Sequence, residues 1–238
     1  MKSVSKFFLF LFAVMAMVSC EKINGEGPVV TEQRAISNFS EIEIAIPGKV
    51  YYKQDSVYKV ELQAQQNVLD VVQTRLNGNE LLLKLENGKV LRHHQQIIVV
   101  ISSPQINRVA LSGAADVTVA NTIHAPALKI NVSGSGNLSF NNVVVAGRLT
   151  AQLDGSGNIN IQSGTAKDEQ FSISGSGNIN GGDVFAETGI SSISGSGNIY
   201  INASKELMAT ISGSGSVYYR GNPRVSAHVS GSGRVRPY

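Results

Sequence analysis

The chain has 238 residues, of which 42% are apolar and 16% are charged, and its formal net charge is +3. Disordered chains combine low hydrophobicity with high net charge, so this composition, with Val and Ile throughout, predicts a folded protein. Without residues 1–19, which contain Lys2 and Lys6, 18 basic residues remain against 17 acidic ones. This balance argues against nucleic acid as a partner, because nucleic-acid binding needs a clustered basic face.

The first 20 residues have the pattern of a bacterial export signal. A short basic region precedes a continuous apolar run at residues 7–18, which is too short to span a bilayer as a helix. The segment Met17-Val18-Ser19-Cys20 resembles a lipobox, in which the cysteine is lipid-modified and becomes the new N-terminus. We therefore predict a lipoprotein signal peptide at residues 1–19 and a lipidation site at Cys20. The alternative is an ordinary cleaved signal beside an incidental cysteine.

The segment 20–38 is polar and contains Gly25, Gly27 and Pro28 without apolar periodicity. It is predicted to be the lipid anchor and a flexible tether. From Phe39 the pattern changes, because Ile42, Ile44 and Ile46 alternate with polar residues, which is typical of a strand.

Residues 39–106 are predicted to form an irregular, β-rich N-terminal capping part. Asn77-Gly78 and Asn87-Gly88 are turn signals, because Asn and Gly tolerate the positive φ of a tight turn. The segment 68–76 fits a short helix and a strand about equally. Such a part would cover the open end of the repeat array that follows, as arrays of this kind require.

The rest of the chain is organised around the repeated motif Ser-Gly-Ser-Gly-Asn-Ile. It is intact at residues 174–179 and 194–199, and variants of it recur at intervals of 18 to 21 residues. The first glycines of the copies are Gly113, Gly134, Gly155, Gly175, Gly195, Gly213 and Gly231. Self-similarity at a period of about 20 residues is the signature of a stacked array.

Apolar alternation continues through each glycine pair, as in the series Leu149, Ala151, Leu153, Gly155, Gly157, Ile159. The glycines therefore share the inward-facing side with the apolar residues. Two explanations remain open: a sharp corner that needs glycine conformations, or a close approach of neighbouring walls that needs absent side chains.

These features predict an all-β protein, a parallel β-helix or β-solenoid built from the glycine-rich repeats at residues 107–238 and continuous with the preceding part. A right-handed coil is expected. The alternative is an antiparallel sandwich in which the repetition is coincidental.

Stacking would align equivalent polar residues into rows about 4.8 Å apart. The predicted rows contain Ser135, Ser156, Ser176 and Ser196, and Asn137, Asn158, Asn178 and Asn198. The amides could pass hydrogen bonds from rung to rung, as in Asn ladders of cross-β stacks. The rows either satisfy local hydrogen bonds only or form a flat binding surface, for instance for glycans.

The aligned repeats resemble the bacterial head GIN domain family, whose members are described as auto-transporter adhesins. The family is named for a Gly-Ile-Asn-like turn, which here reads Gly-Ser-Gly-Asn-Ile-Asn at residues 155–160 and 175–180. Further likenesses are the lead-in at 42–50, the approach at 104–111 and the closing segment 219–223, and the match covers roughly residues 39–235. The resemblance implies an exported, often lipid-anchored β-helical protein without established catalytic residues.

Residues for catalysis or metal binding do not converge in the sequence. His93 and His94 are adjacent and would point to opposite faces of a strand, and no metal-ligand spacing is present. Glycoside hydrolysis needs two facing carboxylates, and the candidates Asp116 and Asp154 occupy different positions of the repeat. Tyr218, Tyr219, Arg220 and Arg224 form a cluster that either caps the last rung or is a contact site. We expect no metal and no cofactor.

The sequence therefore predicts a non-catalytic cell-envelope lipoprotein, an adhesin or scaffold that presents Ser and Asn rows on a β-helix. Its expected partners are the membrane, through the N-terminal lipid, and a glycan or a cell-surface protein. Its expected place is the outer membrane, facing the periplasm or the cell surface. The alternative is a carbohydrate-active β-helix protein that binds or cleaves polysaccharide.

Overall fold

Residues 20–238 are described by the computed structural model of the chain, and strands dominate them. The one helix among these residues, α1 (Gln66–Leu69), is too short to span a membrane. The strands are β1 (Glu21–Asn24), β2 (Val29–Gln33), β3 (Glu41–Ala45), β4 (Lys49–Gln54), β5 (Lys59–Gln65), β6 (Val72–Asn77), β7 (Glu80–Leu85), β8 (Lys89–Arg92), β9 (Ile98–Ser103), β10 (Arg108–Leu111), β11 (Asp116–Ala125), β12 (Leu128–Gly134), β13 (Asn137–Gly155), β14 (Asn158–Ile161), β15 (Gly164–Gly175), β16 (Asn178–Asn180), β17 (Val184–Gly195), β18 (Asn198–Gly213), β19 (Ser216–Arg220), β20 (Arg224–Gly231) and β21 (Arg234–Pro237).

The strands form a β-solenoid of about six turns, which confirms the predicted fold. From β10 onward every strand pairs in parallel with the equivalent strand of the next rung. The pairing is in register with the sequence repeat, so that Gly134, Gly155 and Gly175 stand above one another. The sequence period is therefore one turn of the coil.

Each turn has three straight segments, which we call walls. In one rung, wall 1 is residues 128–134, wall 2 is residues 137–140 and wall 3 is residues 142–145, and each wall includes the paired residues of the other rungs. The Gly-Ser-Gly motif is the corner between walls 1 and 2. At the corners around wall 3 the pairing register shifts, between Val119 and Thr122 and between Val145 and Arg148.

The core runs through the middle of the coil and follows the alternation in the sequence. In β13, Leu149, Ala151 and Leu153 are each 0% exposed, and the residues between them face outward. Two phenylalanines, Phe140 and Phe171, are also fully buried. Since every rung buries its apolar residues against its neighbours, stability is shared along the stack.

At the N-terminal end, the order of rungs in space differs from their order in the chain. Strands β3 and β4 lie between β10 and β11 on one side and β7 and β9 on the other. Beyond this outer rung the pairing becomes antiparallel, with β6 on β7, and with β5 on β9 and β2 on β5. The predicted turns at Gly78 and Gly88 are present, each with positive φ. The ambiguous segment 68–76 contains the end of α1 and most of β6.

The segment 20–38 is not the flexible tether that the sequence predicted. Strand β2 pairs with β5 over five residues, and β1 pairs in parallel with β8. The Asn67 side chain fixes the connection between them, since its Oδ1 accepts a hydrogen bond from Glu26 N at 3.0 Å and its Nδ2 donates to Asn24 O at 2.7 Å. The segment lacks apolar periodicity because these strands lie at the edge of the molecule and are stabilised mainly through their backbones. The predicted signal peptide, residues 1–19, lies outside the described residues.

One acidic side chain lies in the core. Glu169 is 1% exposed and occupies the position that Leu149 has in the preceding rung. The next rung has Gly189 at this position, which leaves space for the longer side chain. Glu169 Oε2 accepts a hydrogen bond from Asn202 N at 3.4 Å, whereas Oε1 has no partner among the described residues. Burial raises the pKa of this carboxyl well above 4.5.

Candidate functional site

Both explanations of the glycine pair hold: the positive φ applies to the first glycine, and the close approach of the neighbouring rung applies to both. In the repeat at 174–179, Gly175 has φ +139°, in the region that favours glycine, so it makes the corner. Gly177 is buried, and a Cβ there would lie 1.9 Å from Gly157 O of the preceding rung. The backbones of successive rungs are joined at this corner, because Ser176 N and Gly177 N both donate to Gly155 O. The corner therefore exposes the intervening serine and begins wall 2 in a fixed direction.

The predicted asparagine row is a continuous hydrogen-bonded ladder along the start of wall 2. Asn137 Nδ2 donates to Asp116 Oδ1 at 2.9 Å, and Asn158 Nδ2 donates to Asn137 Oδ1 at 2.9 Å. The next two steps, Asn178 to Asn158 and Asn198 to Asn178, measure 3.2 Å and 3.1 Å. Each Nδ2 uses one of its two N–H groups in this ladder, so the second is left for another acceptor.

The predicted serine row lies beside the ladder, at the tip of the corner. Ser135, Ser156, Ser176 and Ser196 are all exposed. The backbone N–H groups of Ser156, Ser176 and Ser196 donate to the preceding rung, while within residues 20–238 the hydroxyls of the row take no part in the ladder. The structure therefore brings the two predicted rows together as one polar strip, which presents hydroxyls and amides at the spacing of the rungs.

A second row on wall 2, two residues further along each strand, changes from amides to aromatic rings. It contains Asn160, Asn180, Tyr200, Tyr218 and Arg236 in successive rungs. The Tyr200 and Tyr218 rings are stacked, with centroids 4.8 Å apart and planes 11° from parallel. The Arg236 guanidinium lies 4.8 Å from the Tyr218 ring centroid and donates from Nη2 to Tyr218 Oη at 3.0 Å. This hydrogen bond lowers the pKa of Tyr218.

Tyr238 closes the side of this aromatic row. Its ring meets the Tyr200 ring edge-on at 5.4 Å, and the Arg220 guanidinium lies 4.6 Å from its centroid. Arg220 also forms an ion pair with Asp183. Burial raises the pKa of Tyr238. Together the two rows and these side chains enclose an open groove of about 560 Å³, lined by Asn178, Asn180, Asp183, Asn198, Tyr200, Arg220 and Tyr238.

Some of the residues at this groove were among the candidates predicted from the sequence. Asn178 and Asn198 were predicted as binding residues, and Tyr218 and Arg220 as a cluster. Of that cluster, Tyr219 faces the core instead, and Arg224 directly precedes the wall 1 segment of the last rung. Asn180, Tyr200 and Tyr238 were missed. The signal for the first two was the alternation itself, because residues two positions after each ladder asparagine must point outward as well.

The remaining candidates do not converge. Asp116 is part of the ladder on wall 2, whereas Asp154 is exposed on wall 1 in register with Ser133 and Ser174. Among residues 20–238 no three His, Cys, Asp or Glu side chains are grouped as metal ligands would be. Cys20 is exposed. The groove and the polar strip bring several of the candidate residues together and are therefore the candidate ligand site.

Comparison with known proteins gives a family and a set of related structures. The profile of the family “Putative auto-transporter adhesin, head GIN domain” matches residues 38–223. A “putative adhesin” from Bacteroides fragilis NCTC 9343 has a TM-score of 0.85 at 26% identity, over 91% of this chain and 100% of that one. A “putative adhesin” from Parabacteroides merdae ATCC 43184 has a TM-score of 0.74 at 25% identity, over 91% and 99%.

A “putative lipid binding protein” from Parabacteroides distasonis ATCC 8503 has the same fold, with a TM-score of 0.74 at 24% identity over 92% of this chain and all of that one. No protein with a curated description matches the chain. The family and its related structures indicate a cell-surface or envelope protein. Because the family profile covers most of the chain, in agreement with the repeats and the fold, the protein belongs to the head GIN domain family.

Proposed function

We propose that the protein is a non-catalytic adhesin of the cell envelope, which binds a glycan through the polar strip on wall 2. The observation that carries this proposal is the pair of polar rows at one corner of a rigid coil, with exposed serines and at least partly exposed asparagines. The asparagine ladder fixes the amides, so little side-chain entropy is lost when a ligand binds them. The exposed serine hydroxyls and the second N–H of each amide supply donors and acceptors for the hydroxyl groups of a sugar chain.

The repetition of the strip favours a polymeric ligand over a small molecule. Equivalent groups recur at each rung, about 4.8 Å apart, so a linear chain lying along the stack meets the same chemistry several times. Many weak contacts along one ligand give avidity without a deep pocket. Family membership supports adhesion as the purpose of such binding.

Anchoring through a lipid at Cys20 completes the proposal. Export signal, lipobox and exposed Cys20 all favour attachment at the N-terminal end of the described chain. Loss of labelling by a radioactive fatty acid in Cys20→Ser tests this anchor. Protease treatment of intact cells tests the orientation, since the protein must be digested if it acts as an adhesin.

Glycan-array binding together with a hydrolysis assay tests the function. We expect binding without release of product, and weaker binding in the double variant Ser176→Ala/Ser196→Ala. The matched control is Ser174→Ala/Ser194→Ala, which removes two exposed hydroxyls from the same rungs on wall 1. An equal loss of glycan binding in both double variants would contradict a role of the polar strip in binding. Release of product that stops in Asp116→Asn or Asp154→Asn would instead identify a carbohydrate-active enzyme.

A further inference from the structure

The groove on wall 2 lies in the rungs nearest the C-terminus, and it has the parts of a sugar-binding subsite. Its platform is the Tyr200 ring. Tyr218 covers one face of this ring, and the strand register places Asn180 on the opposite side. Asn180 has the shorter side chain, so the outer part of the Tyr200 ring extends beyond it, and both residues line the groove. A half-exposed aromatic face of this kind offers apolar contact area with a polar surrounding.

The floor of the groove offers hydrogen bonds of both kinds. Asn180 Nδ2 donates to Asn160 Oδ1 at 3.0 Å, while Asn180 Oδ1 accepts no hydrogen bond from the described residues. Asn178 and Asn198 each use one Nδ2 hydrogen in the ladder, which leaves each of them one donor. Fixed donors and an acceptor beside an apolar platform match a pyranose ring, which has hydroxyls at its edge and C–H groups on its faces.

The charges at the rim favour a neutral sugar. Asp183 and Arg220 form an ion pair, so together they add no net charge to the groove. Both side chains are about half exposed, and each can still exchange a hydrogen bond with a ligand hydroxyl. Arg220 also lies on the Tyr238 ring, which limits its freedom to turn toward an acidic ligand. The volume of about 560 Å³ lies within the usual range for a small-ligand site.

We propose that this groove binds one neutral pyranose residue of a glycan, with the sugar face on Tyr200 and its hydroxyls on Asn178, Asn180 and Asn198. The inference rests on the proposed function, because it names the point on the polar strip that holds a sugar most tightly. The alternative is that the tyrosines have a purely structural role and only cover the last rungs of the coil. In that case their removal changes stability and leaves sugar binding unaffected.

The test is an NMR titration of the protein with methyl β-glucoside, methyl β-galactoside, methyl α-mannoside and sodium glucuronate. We expect one of the neutral glycosides to shift the signals of the groove residues, and glucuronate to bind more weakly. Asn180→Ala should weaken binding about tenfold, because the acceptor on the floor is lost. Tyr200→Ala should weaken it at least as much, through the loss of the platform.

The matched control is Tyr51→Ala. Tyr51 is an exposed tyrosine of β4 whose register places it in the same row of wall 2, several rungs away from the groove. Asn180→Ala removes an exposed side chain and keeps the stacked rings, so it separates binding from folding. Equal weakening by Tyr51→Ala, stronger binding of glucuronate, or no shift in the groove would overturn the inference.

The two proposals fail in different ways. If the protein binds glycans on an array and Tyr200→Ala and Asn180→Ala bind them equally well, the groove is not the subsite while the adhesin proposal stands. If the ligand is a cell-surface protein instead of a glycan, both proposals fail. If the protein is not accessible on intact cells, the adhesin proposal fails whatever the groove binds.

Discussion

Replacement of Gly177 by alanine tests how the corner of each rung is built. The new Cβ would lie 1.9 Å from Gly157 O and 2.7 Å from Leu153 Cδ2. The oxygen belongs to the backbone of the paired rung, so it can move only if the two rungs separate. Overpacking of a rigid site typically costs about 1–3 kcal/mol of the free energy of unfolding.

Gly175→Ala should be at least as damaging, for two reasons. Its Cβ would lie 2.2 Å from Gly155 O, and its φ of +139° adds strain of about 1–3 kcal/mol for a residue with a side chain. The structure also offers a control at the equivalent position of the first repeat. Gly113 lacks the positive φ, and a Cβ there would meet Ile46 O at 3.7 Å, an ordinary contact. Gly113→Ala should therefore change stability by no more than about 0.5 kcal/mol.

Urea unfolding followed by circular dichroism measures these differences, and calorimetry checks whether the stack still unfolds as one unit. We expect Gly175→Ala and Gly177→Ala to lower the midpoint clearly, and Gly113→Ala to match the unmodified protein. Equal stability of all three variants would refute the close stacking of the corners.

Substitutions at three further residues test other parts of the structure. Glu169→Leu should stabilise the protein by about 1–3 kcal/mol at neutral pH, because an unsatisfied buried carboxyl is removed. Since burial raises the pKa of Glu169, the folded state holds this proton more tightly than the unfolded chain, so the unmodified protein should lose stability as the pH rises above 4.5. Glu169→Gln should abolish that dependence, and a pH series of unfolding midpoints that is identical in both proteins would contradict it. Asn158→Ala should cost about 1 kcal/mol by breaking the ladder on both sides, while an unchanged midpoint would show that the ladder adds no stability. Arg236→Ala should raise the pKa of Tyr218 toward 10, which ultraviolet titration measures, and an unchanged titration would show that the contact is absent in solution.

The regular part of the fold could be predicted because every rung packs its apolar residues in the same way, so the pattern repeats in the sequence. Alternation identified the buried face, and the spacing of glycines identified the turn of the coil. Residues such as Leu153 and Ile159 are buried as their position in the pattern requires. The asparagine ladder followed from the same reasoning, since residues in register must be neighbours in a parallel stack.

The N-terminal part could not be predicted in the same way, because its pairing is between segments distant in sequence. Nothing in the local pattern shows that β3 and β4 are inserted between the rung of β7 and β9 and the repeats. Strand β2 is held by backbone hydrogen bonds to β5, which leave no apolar period in the sequence.

The candidate groove was only partly predictable for a related reason. Asn178 and Asn198 lie in the repeated motif. Tyr238 lies outside every copy of the motif, and only the folded chain places its ring at the groove. Its ring packs against Tyr200, 38 positions earlier in the chain, and the ring contact depends on how three rungs stack. The burial of Glu169 was also missed. Its position continues the inward-facing alternation of Phe171 and Ile173, but its charge is untypical of a core residue.

Adhesion of intact cells to a glycan-coated surface tests the central claim most directly. The coating is the glycan that the purified protein binds on the array, and the comparison is between cells with and without the gene. If the protein is a lipid-anchored adhesin, cells with the protein adhere more strongly, Cys20→Ser lowers adhesion, and the purified protein competes with adhesion. Equal adhesion of cells lacking the protein would show that the protein is not an adhesin for this glycan.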